Sequence, residues 1–139
     1  MANFEGFARF HGWLYEASRG WIGAYLGRPM ALLYTKGART GLIRRTPLQY
    51  YNLDSAGIVV LASNNGQPKA PAWYFNLKAN PEFMVRVGRD LRRVRAEELP
   101  PDRRAEVWPA MRRQNPAIDG YQARAGRTIP VILLRTLGR

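Results

Sequence analysis

Cysteine is missing from this 139-residue chain, which removes disulfides, thiolate nucleophiles and cysteine-ligated metals from consideration. Histidine occurs once, as His11, so a multi-histidine zinc site is excluded and a Ser-His-Asp relay has little to build on. No other metal centre is expected. Acids are scarce as well: 10 Asp and Glu stand against 22 Lys and Arg, a net charge of +12. No apolar run approaches the ~18 residues needed to span a bilayer. Glu5 and Arg9 also interrupt any signal-like apolar segment at the N-terminus. The expectation is a cytoplasmic protein of one domain, residues 1–139, large enough to bury a core. Its excess of cations admits three partner classes: nucleic acid, an anionic membrane and a polyanionic small molecule.

What the chain does have is concentrated between Leu32 and Pro81. Two β-prone runs, Leu32–Thr35 and Thr46–Leu53, flank the basic connection Lys36-Gly37-Ala38-Arg39-Thr40-Gly41-Leu42-Ile43-Arg44-Arg45. A third run, Gly57–Ala62, ends in Ser63-Asn64-Asn65-Gly66, and Pro71–Ala79 reads as a short helix stopped by Asn80-Pro81. Between Ala17 and Pro81 there are eight cations and one acid, Asp54. One-signed charge beside Gly, Ser and Thr suits an anionic ligand, through guanidinium pairs and backbone N–H groups. A basic surface without a single ligand is the plainer alternative.

The remaining elements follow from local pattern. Asn3–Leu26 is expected to be helical with a wide apolar face (Phe4, Phe7, Phe10, Trp13, Trp21) that must meet the barrel, a partner or a membrane interface. Thr46–Leu53 and Gly57–Ala62 should pair as a hairpin, and Phe83–Val87 with Leu91–Glu97 as another around Gly88. Pro100–Asn115 reads as a helix with Ala105, Trp108 and Met111 on one face, kinked or split by Pro109. Tyr121–Arg127 reads as a loop or short turn, and Thr128–Thr136 as the last strand. Six strands with short helices and no βαβ alternation predict a mainly β (α+β), mostly antiparallel small split barrel over residues 30–136, preceded by a helical segment at 1–28.

The blocks TKGARTG, RRTPLQY, VVLASNNG, PAWYFNLKANP, a later WP and YQARAGRTIP resemble the deazaflavin-dependent nitroreductases, a family of small split barrels that includes quinone reductases using reduced coenzyme F420. The resemblance runs in register from about Met30 to Thr136. It implies hydride transfer from reduced F420 to a quinone-like, nitro or activated-alkene acceptor. The coenzyme brings its own hydride at ring carbon 5, so the protein has to bind, orient and exclude water more than supply a nucleophile.

By that resemblance Ala38, Arg39, Thr40 and Arg44 hold the phosphate and glutamate tail. Arg45, Thr46, Pro47, Leu48 and Gln49 continue the groove, Ala62, Ser63 and Asn64 meet the ring and ribityl chain, and Ala72, Trp73 and Asn76 close the other side. Ser63 would donate to the ring near the reacting carbon. Tyr121 would hydrogen-bond or protonate an acceptor oxygen, with Trp73 and Ile118 lining the substrate side. The family's nitroimidazole reductases carry further tyrosines at the positions of Asn115 and Ile118, so nitro-drug reduction is not implied. Three classes therefore stand side by side: an F420H2-dependent oxidoreductase, a non-catalytic F420 carrier, and a basic module for membrane or nucleic acid, the last of these disfavoured. An FMN-using barrel is a near variant of the first.

Overall fold

A computed structural model describes residues 29–53 and 57–138; the expected helix Asn3–Leu26 and the turn at 54–56 lie outside the described residues. Seven antiparallel strands form one sheet: β1 (Met30–Lys36), β2 (Ile43–Gln49), β3 (Tyr51–Leu53), β4 (Gly57–Leu61), β5 (Glu82–Val87), β6 (Asp90–Glu98) and β7 (Val131–Gly138). Their order is β2-β1-β5-β6-β7-β4-β3. Helix α1 (Ala72–Ala79) links β4 to β5, and α2 (Pro101–Gln114) and α3 (Ile118–Ala125) link β6 to β7.

The two sheet edges are two halves of one segment. Among the described residues β2 pairs only with β1 (Ile43↔Lys36 through Gln49↔Met30), and the Tyr50 N–H, donating to Pro29 O at 3.1 Å in the same register, makes the last bond of that ladder. β3 resumes on β4, with Tyr51 opposite Val59 and Leu53 opposite Gly57. A strand that changes partner at one residue joins both edges, so the sheet curls into a split barrel. This corrects the expected single strand Thr46–Leu53: only its last three residues form the hairpin with β4, and the strand count rises from six to seven.

Side-chain alternation gives the sheet two cores. Inside lie Ala31, Leu33, Val60, Val85, Val94, Ile132 and Leu134, with Trp73, Tyr74 and Leu77 of α1 packed among them. Outside, Val107, Trp108 and Met111 of α2 and Ile118 and Ala125 of α3 cover Tyr51, Val59, Leu61 and Leu133. Ala105, expected on the buried face of α2, is exposed, and Val107 takes its place. Nor does Pro109 split α2, which runs 14 residues without interruption. Pro109 and Ala105 both face solvent, where water can satisfy the Ala105 carbonyl that the proline leaves without its helical donor.

The segment expected as a loop, Tyr121–Arg127, is mostly helix α3. Burial of Ile118 and Ala125, two turns apart on the same face, drives it, and Gly126 ends it in the left-handed region at φ 65°. The last strand begins at Val131, three residues later than expected.

Candidate functional site

Strand direction decides what can meet. β1, β4 and β6 run one way and β2, β5 and β7 the other. The connection from Lys36 to Ile43, the turn after β4, helix α1 and the approach to β7 therefore gather at one barrel end. Loops on a rigid sheet are where charges and backbone donors are most readily presented.

The basic connection is a built loop. Gly37 N–H donates to Leu42 O at 2.7 Å and Gly41 N–H to Gly37 O at 2.9 Å, with Gly41 at φ 73°. Thr40 Oγ1 accepts from the Leu42 N–H and from Arg44 Nη2, both at 3.2 Å. The loop is tied to α1 by the Ala38 N–H, which donates to Asn76 Oδ1 at 3.0 Å. Two of the expected residues from distant blocks thus meet directly.

The charge around the loop is unbalanced. Among the described residues, six acids (Glu82, Asp90, Glu97, Glu98, Glu106 and Asp119) are paired with cations elsewhere, and none lies within ion-pair distance of Lys36, Arg39 or Lys69. Cations left together without carboxylates repel each other, and an anion relieves that repulsion.

Across the same end, Ser63 sits half-buried where β4 runs out, at φ −80° and ψ −32°. Its hydroxyl makes no cap bond, and no described residue accepts from the N–H of Ser63, Asn64 or Asn65. Asn64 and Asn65 both take positive φ, 48° and 57°, and Asn64 Nδ2 steadies the turn on Lys69 O at 3.1 Å. Next, Gly66 lies so close to α3 that a Cβ there would stand 3.1 Å from both Cα and O of Tyr121. Tyr121 is half-buried, its hydroxyl has no partner among the described residues, and the Arg124 guanidinium stands 5.5 Å from its ring centre.

At the rim, Tyr74 donates its hydroxyl to Glu98, and Lys78 Nζ donates to Tyr74 Oη at 3.2 Å. Burial first, then Glu98, raises the Tyr74 pKa, while hydrogen bonding to Tyr74 raises that of Lys78. The phenol therefore stays protonated and pins α1 to the end of β6.

Not every expected residue comes to this end. Arg44, Thr46 and Leu48 share the inner face with Thr35, Leu33 and Ala31, whereas Arg45, Pro47 and Gln49 point outward. Gln49 pairs with Met30 at the far end of β2, roughly 20 Å from Ile43 along the strand. Ala62 is fully buried and offers only its backbone, and Trp73 lies in the inner core. Ile118 is fully buried in the outer core. Its side chain packs with Val107, Trp108 and Met111 of α2 in that core. Ala72 is exposed at the start of α1. Exposed Phe75 and the guanidinium of Arg127 belong to this end but went unread in the sequence.

A family model for F420H(2)-dependent quinone reductases matches residues 7–136. The chain belongs to this family. An F420H(2)-dependent quinone reductase of Mycobacterium tuberculosis is 36% identical over 131 residues, covering 91% of this chain and 87% of its own. A solved structure of an F420-H2 dependent reductase, FDR-A, superposes with a TM-score of 0.70 at 35% identity, covering 78% of this chain and 95% of that one. The heme storage protein HutZ of Vibrio cholerae, 16% identical with a TM-score of 0.63 over 82% of this chain and 85% of its own, shares the barrel alone.

This F420H2-dependent reductase is thus an oxidoreductase and its cofactor is coenzyme F420. The residues fit that anionic group. No described acid forms an ion pair with Lys36, Arg39 or Lys69, and no described residue accepts from the N–H groups of residues 63–65.

Proposed function

We propose that the chain reduces a quinone-class acceptor at the barrel end where the basic loop, the Ser63 turn and Tyr121 converge. The carrying observation is the Ala38–Asn76 hydrogen bond of 3.0 Å, which joins the cation loop to α1. When bound, reduced F420 supplies the hydride. Arg39 and Arg44, with Lys36 beside them, hold the anionic tail, and Thr40 keeps the Arg44 guanidinium in place. Ser63 Oγ donates to the ring edge, Trp73 backs the site from the inner core, and the Tyr121 hydroxyl hydrogen-bonds the acceptor oxygen and supplies its proton.

Nitro compounds and activated alkenes are further acceptor classes within the proposal. Cytoplasmic location, with peripheral membrane contact through residues 3–26, is also part of it. The test is steady-state oxidation of reduced F420 against a quinone, a nitroarene and an activated alkene. Turnover with the quinone supports the reading; coenzyme binding without turnover on any acceptor would make the chain a carrier.

A further inference from the structure

We propose that Arg127 is a positioning residue that sets the backbone on both sides of Ser63. The inference rests on the role given to Ser63 above. One guanidinium gathers four backbone carbonyls from a segment about sixty residues away: Nε donates to Gln67 O at 3.2 Å, and Nη2 to Ala62 O at 3.1 Å, Ser63 O at 3.3 Å and Lys69 O at 3.2 Å. The carbonyls of Ala62 and Ser63 belong to the two peptide planes that flank Ser63. Fixing both planes fixes the φ and ψ of Ser63 and leaves only χ1 to aim its hydroxyl.

The clamp is itself anchored. Arg127 follows Gly126, whose left-handed φ of 65° turns the chain off α3. Its carbonyl accepts from Gln122 Nε2 at 2.5 Å, and Gln122 Oε1 accepts from the Ile129 N–H at 2.9 Å and from Arg104 Nη2 at 2.8 Å. Arg104 also donates to Ile129 O at 2.9 Å and lies 4.4 Å from the Trp108 ring centre. The same helix carries Tyr121, so Arg127 couples the two groups expected to meet ring and acceptor. Among the described residues no carboxylate pairs with Arg127, and its Nε and Nη2 donate to carbonyls. A planar guanidinium holds its donors in one fixed geometry, whereas the three donors of an ammonium rotate on a flexible stem and reach less far.

The test uses Arg127→Lys, which keeps the charge and the stem. Amide hydrogen exchange on the full-length protein reads the turn through the Gly66 and Gln67 N–H groups, which bond to Ser63 O and Asn64 O. Arg127→Lys is expected to speed exchange at these two amides about tenfold or more, with Val85 and Ile132 in the barrel unchanged. Turnover should fall on the order of 10- to 100-fold, while the F420 dissociation constant moves by less than about threefold, because the tail is held by a different loop. In a Ser63→Ala background the same substitution should reduce turnover little further, since both changes remove one interaction.

Unchanged exchange at Gly66 and Gln67 would overturn the clamp. Additive losses in the double variant, or full turnover by Ser63→Ala alone, would overturn its action through Ser63. Absence of turnover in the unmodified protein would refute the function proposed above, and the exchange measurement would still decide the clamp.

Discussion

Substituting Gly66 by alanine tests whether the Ser63 turn and helix α3 really abut. Two terms enter. Gly66 has φ +78°, where a Cβ costs about 1–2 kcal/mol whatever the space. The new Cβ would also stand 3.1 Å from two backbone atoms of Tyr121, and overpacking against groups that cannot rotate away adds about 1–3 kcal/mol. Gly88 supplies an internal control: its φ is +61° but nothing lies within 4 Å of a Cβ there. Both substitutions also restrict the unfolded chain by a similar amount, so that effect cancels in the difference. With roughly 3 °C of melting temperature per kcal/mol for a chain of this size, Gly66→Ala should lower Tm by roughly 6–15 °C and Gly88→Ala by roughly 3–6 °C. Scanning calorimetry at matched concentration reads both. Equal shifts for the two variants would refute the close contact between turn and helix.

Further expectations concern the site and its pH limits. Arg39→Ala combined with Arg44→Ala removes two charge-assisted contacts worth about 1.5 kcal/mol or more each, so F420 affinity should fall on the order of 100-fold in fluorescence titration; unchanged affinity would remove this loop from the tail site. Asn76→Ala deletes the acceptor of the Ala38 N–H and should weaken coenzyme binding roughly fivefold, about 1 kcal/mol. Tyr121→Phe should lower kcat with the quinone while leaving F420 affinity alone; identical kinetics would end the case for its hydroxyl. Acid should loosen α3 from α2. Arg112 first, and the Trp108 indole second, lower the Asp119 pKa, and Arg135 likewise lowers that of Glu97. A carboxylate whose folded pKa is depressed contributes stability that is present above its unfolded pKa of about 4 and is lost as pH falls through the lower folded value. Unfolding free energy should therefore drop below about pH 4, and Asp119→Asn should flatten part of that decline; an unchanged acid slope would assign it elsewhere.

How far the sequence could be read depended on the range of the interaction. Hairpin β5–β6 and helix α1 were legible because turn residues and periodicity act locally, and both appear within a residue or two of expectation. The break at Tyr50 was not legible. β2 and β3 form one β-prone run that changes partner from β1 to β4 just after Tyr50, whose N–H still bonds to the β1 side at Pro29 O. Helix α3 was missed for the same reason. It contains Gly120 and borders Gly126, so propensity argues against it, and burial of Ile118 and Ala125 overrides propensity. Among the candidate residues, Ala38 meets Asn76 and Tyr121 abuts the Ser63 turn at Gly66, whereas alternation along β2 turns Pro47 and Gln49 outward. Arg127 stood in plain view in the YQARAGRTIP block, but its four acceptors are 58 to 65 residues distant. No local pattern reports a bond of that kind.

Equilibrium titration of the purified protein with coenzyme F420, run beside FMN at two salt concentrations, tests the central claim most directly. The account predicts saturable F420 binding that weakens as salt rises, because Lys36, Arg39 and Arg44 meet an anionic tail, together with much weaker binding of FMN. Equal affinity for the two, or F420 binding indifferent both to salt and to loss of Arg39 and Arg44, would contradict the placement of the coenzyme at this end of the barrel.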